Sequence, residues 1–197
     1  MKLSGNFFTR ENTVQIASNL LGKLLVVPAE SGERVSAMIV ETEAYLGEID
    51  KAAHTFGRRR TKRTEITYAE GGHVYVFFIY GMYHQLNFVT GPIDHPHVVL
   101  IRAVEPVEGI EIMRMRRGLM PDKNLTSGPG KLCIAMGIDK SLNGENLIGE
   151  RIWVEDHKTF LKKEIAPGKR IGIDYAEEFA DEPWRFWVKG NQFVTKS

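Results

Sequence analysis

Residues 38–47 constrain the fold more than any other stretch. They read Met38-Ile39-Val40-Glu41-Thr42-Glu43-Ala44-Tyr45-Leu46-Gly47, a β-type apolar run that closes in two carboxylates, a tyrosine and a glycine. Strand alternation puts Glu41 and Glu43 on one face, with Val40 and Thr42 on the other. Strands usually finish in turn residues. One that carries acidic and aromatic groups to its end places function on a rigid scaffold. Two carboxylates on one face can act as acid and base, share a metal, or simply face water.

The rest of the chain reads as a sheet with a few helices around this strand. Asn12 or Thr13 caps a first helix, in which Val14, Ile16, Ala17, Leu20 and Leu21 recur at helical spacing before Gly22. Residues 23–27 and 34–43 form two strands joined by a turn over residues 30–33. Between residues 46 and 72 the apolar pattern fades, and a loop of that length inside a compact domain is usually functional. Residues 73–78, β-branched and aromatic on both faces, form a strand buried on both sides. After a turn at Tyr80-Gly81-Met82, residues 83–89 return, and residues 98–104 form another buried strand that ends at Pro106. Residues 108–117 are helical, with Ile110, Met113 and Met115 on the inward side. Ser127-Gly128-Pro129 opens a further helix. Late strands are read at residues 151–155, 170–175 and 185–189. The expectation is an α+β protein, one domain over residues 1–197. A curved, mainly antiparallel sheet carries a few helices and a protruding β-hairpin.

Composition excludes several classes. The single cysteine, Cys133, rules out an intrachain disulfide framework and a multi-cysteine zinc site, and fits a reducing, cytoplasmic setting. No apolar run approaches the about 20 residues that span a bilayer, and the first residues lack the apolar core of a signal peptide. The formal net charge is only +1, so a purely electrostatic nucleic-acid binder is not indicated. The basic residues are nevertheless clustered: Arg58, Arg59, Arg60, Lys62 and Arg63 fill five of six successive positions.

A run this dense beside Gly57 is either a solvated loop or a phosphate-binding patch. His54, His84, His95 and His97 lack the spacing of a metal motif, and neither a metal nor a cofactor is expected. Most of the aromatics at residues 75–83 belong in a core. Tyr80, beside Gly81 at a hairpin tip, exposes apolar surface unless something receives it, and insertion between stacked bases is one such solution. A carboxylate with a flanking aromatic, a basic loop and a protruding tyrosine together suit an enzyme that extrudes a base from a duplex.

Several motifs run in order over nearly the whole chain. They are Val40-Glu41-Thr42-Glu43-Ala44-Tyr45-Leu46-Gly47, Ala52-Ala53-His54, Tyr75-Val76-Phe77-Phe78-Ile79-Tyr80-Gly81-Met82-Tyr83, Leu100-Ile101-Arg102-Ala103-Val104-Glu105-Pro106, Ser127-Gly128-Pro129-Gly130-Lys131-Leu132-Cys133 and Arg185-Phe186-Trp187-Val188-Lys189-Gly190. In these the chain resembles the alkyladenine (3-methyladenine) DNA glycosylase family of the mammalian type. The resemblance implies that Glu43 is a general base for a water attacking C1′ of a flipped nucleotide. Arg102 and the Ile171 main-chain carbonyl hold that water. Tyr45 and His54 stack on one face of the base and Phe77 on the other, with Ala52 also in the base pocket. Asn87 discourages the exocyclic amino group of guanine, and Tyr80 fills the gap in the duplex. Arg58, Arg59, Arg60 and Arg63 meet the DNA backbone. Phe77 departs from the family pattern, which has a tyrosine there, so a hydroxyl and its hydrogen bond are lost. Residues 64–72 match poorly.

The implied partner is double-stranded DNA carrying a damaged purine, bound by a monomer with no membrane. Two other readings are a non-catalytic binder of damaged DNA or RNA, and a small-substrate hydrolase using Glu41 and Glu43.

Overall fold

The computed structural model describes residues 1–79, 81–118 and 120–195. Its central strand is β2 (Ser36–Tyr45), buried at every position except the half-buried Tyr45. This burial follows from three partners. β5 (His97–Glu108) runs along one edge, while β1 (Leu24–Val26) and β8 (Arg185–Val188) share the other in succession. β3 (Val74–Ile79) and β4 (Tyr83–Thr90) form the expected hairpin and extend the sheet beyond β5. β6 (Trp153–Glu155) closes the other end on β1, and β7 (Ile165–Gly168) pairs with β8. Every named strand pair is antiparallel, in the order β3-β4-β5-β2-β1-β6 with β8 and β7 branching from β2.

The helices cover one face of this sheet. α1 (Thr13–Asn19) is capped by the Asn12 side chain, which accepts from the Gln15 N–H. It packs on β2, β5 and β8, and the Thr42 hydroxyl donates to the Ala17 carbonyl at 2.8 Å. α3 (Pro129–Met136), with proline at its first position, packs on β4 and β5, and α2 (Ile110–Arg117) packs on α3. The apolar core between them holds Ile16, Leu20, Ile39, Phe88, Ile101 and Leu132, all at 0% exposure.

The opposite face is where strand register assembles chemistry. Glu43 pairs with Leu100, Leu100 with Asn87, and Asn87 with Tyr75, so one row crosses four strands. The next row runs from Tyr45 through Val98 to Val89, and Phe77 lies opposite Gln85. Residues directly across an antiparallel pair share a face. Thr42 points to α1, so Glu41 and Glu43 point away from it.

Four features differ from the sequence expectations. β5 passes through Pro106 to Glu108: Pro106 lies opposite Ala37, and the register shift between Ser36 and Ala37 passes over Val107. Met115 faces solvent at 75% exposure, leaving Met113 as the buried residue of α2. Residues 170–175 are not a strand: Gly172 takes φ 76°, which ends the extended run, and a 3-10 segment follows over Asp174–Ala180. Residues 46–72 are a series of 3-10 turns, Gly47–Ile49, Phe56–Arg58 and Glu65–Tyr68.

Gly22 joins α1 to the sheet: its N–H donates to Ile39 and its carbonyl accepts from Lys158, both at 2.9 Å. It has φ +87°, and a Cβ there would sit 2.3 Å from the Lys158 carbonyl oxygen. Gly22→Ala is expected to lower unfolding stability by roughly 1–3 kcal/mol. An unchanged urea midpoint would contradict this account of the junction.

Candidate active site

A cavity of about 280 Å³ opens on the sheet face away from the helices. Tyr45, Ala52, His54, Phe77, Asn87 and Arg102 all line it, so the residues expected to form a base pocket come together from β2, β3, β4, β5 and the turns between β2 and β3. Tyr75, one of the aromatics over residues 75–83 most of which were expected in the core, lines it too, as do Gln85, Ile173 and Tyr175, which the sequence had not singled out. Tyr75 and Gln85 share strand faces with Phe77 and Asn87, so alternation along β3 and β4 was the signal that would have found them.

Glu43 is fully buried and stands behind the lining rather than on it. Three groups that do line the cavity converge on its carboxylate. The Ile171 N–H donates to Oε1 at 2.8 Å, the Tyr45 hydroxyl donates to Oε2 at 2.8 Å, and Arg102 Nη1 lies 3.3 Å from Oε1. The Ile171 group on Glu43 is thus its amide, where the resemblance had implied its carbonyl near the water. Burial and the adjacent Glu43 charge hold the Tyr45 phenol well above its ordinary pKa, so it stays a donor at neutral pH. A carboxylate has about four acceptor positions, so three donors leave one, on Oε2.

Glu41 is equally buried, with different partners. Arg102 Nε donates to Oε1 at 3.0 Å, Arg185 Nε donates to Oε1 at 2.7 Å, and the Thr195 N–H donates to Oε2 at 2.8 Å. The two carboxylates that looked alike in sequence are therefore distinct. Glu41 anchors Arg102, β8 and the chain near residue 195; Glu43 faces the cavity lining.

A second buried ion pair backs the same wall and was not legible in sequence. Arg170 meets Asp50 through two bonds, 2.5 and 3.0 Å, and neither side chain is exposed.

His54 sits at the rim. Its Nδ1 lies 3.0 Å from the Tyr75 hydroxyl, and its ring meets Phe77 edge to face with centroids 4.6 Å apart. His54 and Phe77 therefore touch, rather than standing on two sides of a base-wide slot as the resemblance implied. Desolvation against these rings, then the Arg63 and Arg59 charges, lower the His54 pKa to about 4. Asn87 is buried, and its amide donates to the Tyr75 carbonyl at 3.2 Å, which fixes its orientation in the pocket.

The basic loop divides by partner. Arg60 is engaged within the protein, bonded to Glu65 at 2.6 and 3.0 Å, 3.3 Å from Asp94, and over the Tyr68 ring. These are solvent-exposed pairs, with the Arg60 side chain 49% exposed, so its charge is shared with two carboxylates. Arg63 is exposed, and its guanidinium lies 4.8 Å from the centre of the Phe77 ring. Arg58 is 81% exposed and reaches Glu48 only at 3.5 Å. Arg59 is exposed and makes no side-chain hydrogen bond or ion pair among the described residues. The β3–β4 hairpin carries Phe78 and Met82 at 50% and 63% exposure, whereas Tyr80 lies outside the described residues. Among the described residues, no group of three or more His, Cys, Asp or Glu side chains is arranged to hold a metal ion.

His54 also supplies a test. Its pKa is lower in the folded protein than the 6.5 of an unfolded histidine, so the unfolded chain binds its proton first as pH falls. Its contribution to stability is present above pH 6.5 and is lost on descending towards pH 4. In His54→Gln, urea unfolding followed from pH 7 to pH 4 should show a shallower loss than wild type. Parallel curves for the two proteins would mean that the ring is not held neutral.

A family model described as methylpurine-DNA glycosylase matches residues 6–192. A Clostridium novyi protein is 48% identical over 203 residues, covering 99% of this chain and 98% of its own length. Proteins from Alkaliphilus oremlandii and Clostridium perfringens strain 13 are 49% and 50% identical, each alignment covering 100% of both chains. All three carry provisional 3-methyladenine DNA glycosylase names. These relatives are bacterial, so they show the family and do not show its mammalian type. No helix among the described residues is long and apolar enough to cross a membrane. The chain belongs to the methylpurine-DNA glycosylase family and is a DNA glycosylase, a hydrolase of N-glycosyl bonds.

Proposed function

We propose that this enzyme acts as a monomer on double-stranded DNA and flips out an alkylated or deaminated purine, either 3-methyladenine, 7-methylguanine, hypoxanthine or ethenoadenine. It then hydrolyses the N-glycosidic bond with a water activated by Glu43. The observation that carries this reading is the Glu43 carboxylate. It is wholly buried, held by Ile171, Tyr45 and Arg102, and left with one acceptor position beside a cavity lined by aromatic rings.

That position receives one hydrogen of a water. Glu43 takes the proton as the water oxygen bonds to C1′, and the electron pair of the N-glycosidic bond leaves with the purine. The carboxylate also opposes the positive charge that develops on the sugar, in a site where low dielectric strengthens the interaction. Arg102 is anchored by Glu41 through its Nε and keeps its Nη1 directed at Glu43. Cationic alkylpurines leave readily and need little acid assistance. Neutral hypoxanthine and ethenoadenine need a hydrogen bond at the purine. The Ala52 N–H is already committed to Asp50 at 3.0 Å, so His54 supplies that contact. With a pKa near 4 it does so as a neutral ring. The base rests on Tyr45 with Phe77 opposite, and His54 turns from its edge contact with Phe77 to admit it. Arg58 and Arg59 meet phosphates, and Tyr80 fills the gap in the stack. Without a lysine nucleophile in this scheme, the strand is not cleaved.

The test is base release from duplexes carrying 3-methyladenine, hypoxanthine or ethenoadenine. Wild type should release base, and Glu43→Gln should be slower by roughly 10²–10⁴-fold, the usual contribution of a general base. If wild type releases none of these bases, the reading fails; if Glu43→Gln keeps the full rate, only its role does. For Tyr80→Ser, retention of the flipped state should weaken by about 1–3 kcal/mol, the worth of a base–aromatic contact. Ethenoadenine fluorescence reports that state, and an unaltered signal would place the wedge elsewhere.

A further inference from the structure

Asp50 and Arg170 do not line the cavity, yet they bond to Ala52, which does, and to residues in the segments that carry other lining side chains. Besides the two bonds to Asp50, the Arg170 guanidinium donates to the Ala44 carbonyl at 3.0 Å and to the Phe179 carbonyl at 3.1 Å. The Tyr45 ring lies 4.6 Å away and the Trp184 ring 4.9 Å away. Asp50 in turn accepts from the Leu46 N–H at 3.1 Å and the Ala52 N–H at 3.0 Å. The pair thus joins the end of β2, the turn over residues 46–52 and the segment over residues 170–180. Two of the three groups on Glu43 depend on this junction. The Tyr45 ring packs on the guanidinium, and Ile171 is the next residue along the chain from Arg170.

A buried ion pair kept only for stability can often be replaced by apolar side chains of similar volume. Here the remaining bonds go to the Ala44 and Phe179 carbonyls, in the two segments that carry Tyr45 and residues 171–175 to the cavity, and a planar five-donor guanidinium is the one side chain that can make them together. We propose that Asp50 and Arg170 form a positioning pair for base excision. They hold the Tyr45 hydroxyl and the Ile171 amide on Glu43, and so set the direction of the one acceptor position left for water. This rests on Glu43 as the general base.

The test uses the full-length protein with Arg170→Lys, and separately the double variant Asp50→Leu with Arg170→Met, which removes both charges and remains folded if the pair is replaceable. Single-turnover excision of ethenoadenine or hypoxanthine at excess enzyme is read beside affinity for the same duplex and the melting temperature. Assays run well below melting. Both variants should excise roughly 10–100-fold more slowly, the scale of an ångström-sized misplacement, while binding the duplex within a few-fold of wild type. If Arg170→Lys does not fold, the double variant decides. A folded variant that excises at the wild-type rate overturns the proposal, as does a rate loss matched by an equal loss of affinity. Failure of the Glu43 reading is distinguishable: there, wild type releases no base or Glu43→Gln keeps its rate. An active wild type, an impaired Glu43→Gln and an unimpaired Arg170→Lys together sink the pair alone.

Discussion

Arg102 between two buried carboxylates is the interaction on which the rest of the site depends. Its Nε is bonded to Glu41 and its Nη1 pairs with Glu43, while Glu41 also binds Arg185 and the Thr195 amide. Taking a charge out of water costs several kcal/mol per ion, and only close pairing with satisfied hydrogen bonds offsets it. Each carboxylate here has three donors and no exposed surface. The arrangement needs β5, β8 and the chain near residue 195 together, so the chemistry and the closing of the sheet are one construction.

The sheet separates two tasks by face. Residues pointing towards α1 and α3 form a dry apolar core, and those pointing away form a polar and aromatic cavity. β2 serves both because its period of two sends Thr42 to the Ala17 carbonyl and Glu43 to the cavity side. A one-residue slip of β2 against β5 would exchange the faces and bury the wrong set. The register shifts around Glu41 occur where β8 joins, so the central strand meets three partners without losing its facing.

Much of this was legible from residue patterns. The strands at β2, β3 and β4, the capped first helix and the Glu41–Glu43 facing follow from local alternation and capping chemistry. The motifs led to Tyr45, Ala52, His54, Phe77, Asn87 and Arg102, and the cavity contains all six. Other features were hidden because their partners are distant in sequence. Arg170 and Asp50 are 120 residues apart, and neither position carries a local signal that the other exists. Residues 170–175 alternate like a strand, but Gly172 in the left-handed region turns them into a cavity wall. The basic loop looked uniform, yet Arg60 is bound to Glu65 and Asp94, whereas Arg59 is not engaged in this way.

By itself the sequence determined the strand that carries Glu43 and Tyr45, the periodicity that sets their facing, and the motif order that marks the family. Backbone propensity and alternation are local, so a single strand suffices to express them. Tertiary structure alone decided which carboxylate is an anchor and which faces the cavity wall. Glu41 and Glu43 differ only in what β5, β8 and the segment at Ile171 bring against them. Pairing in a desolvated interior depends on distances that no one-dimensional pattern contains.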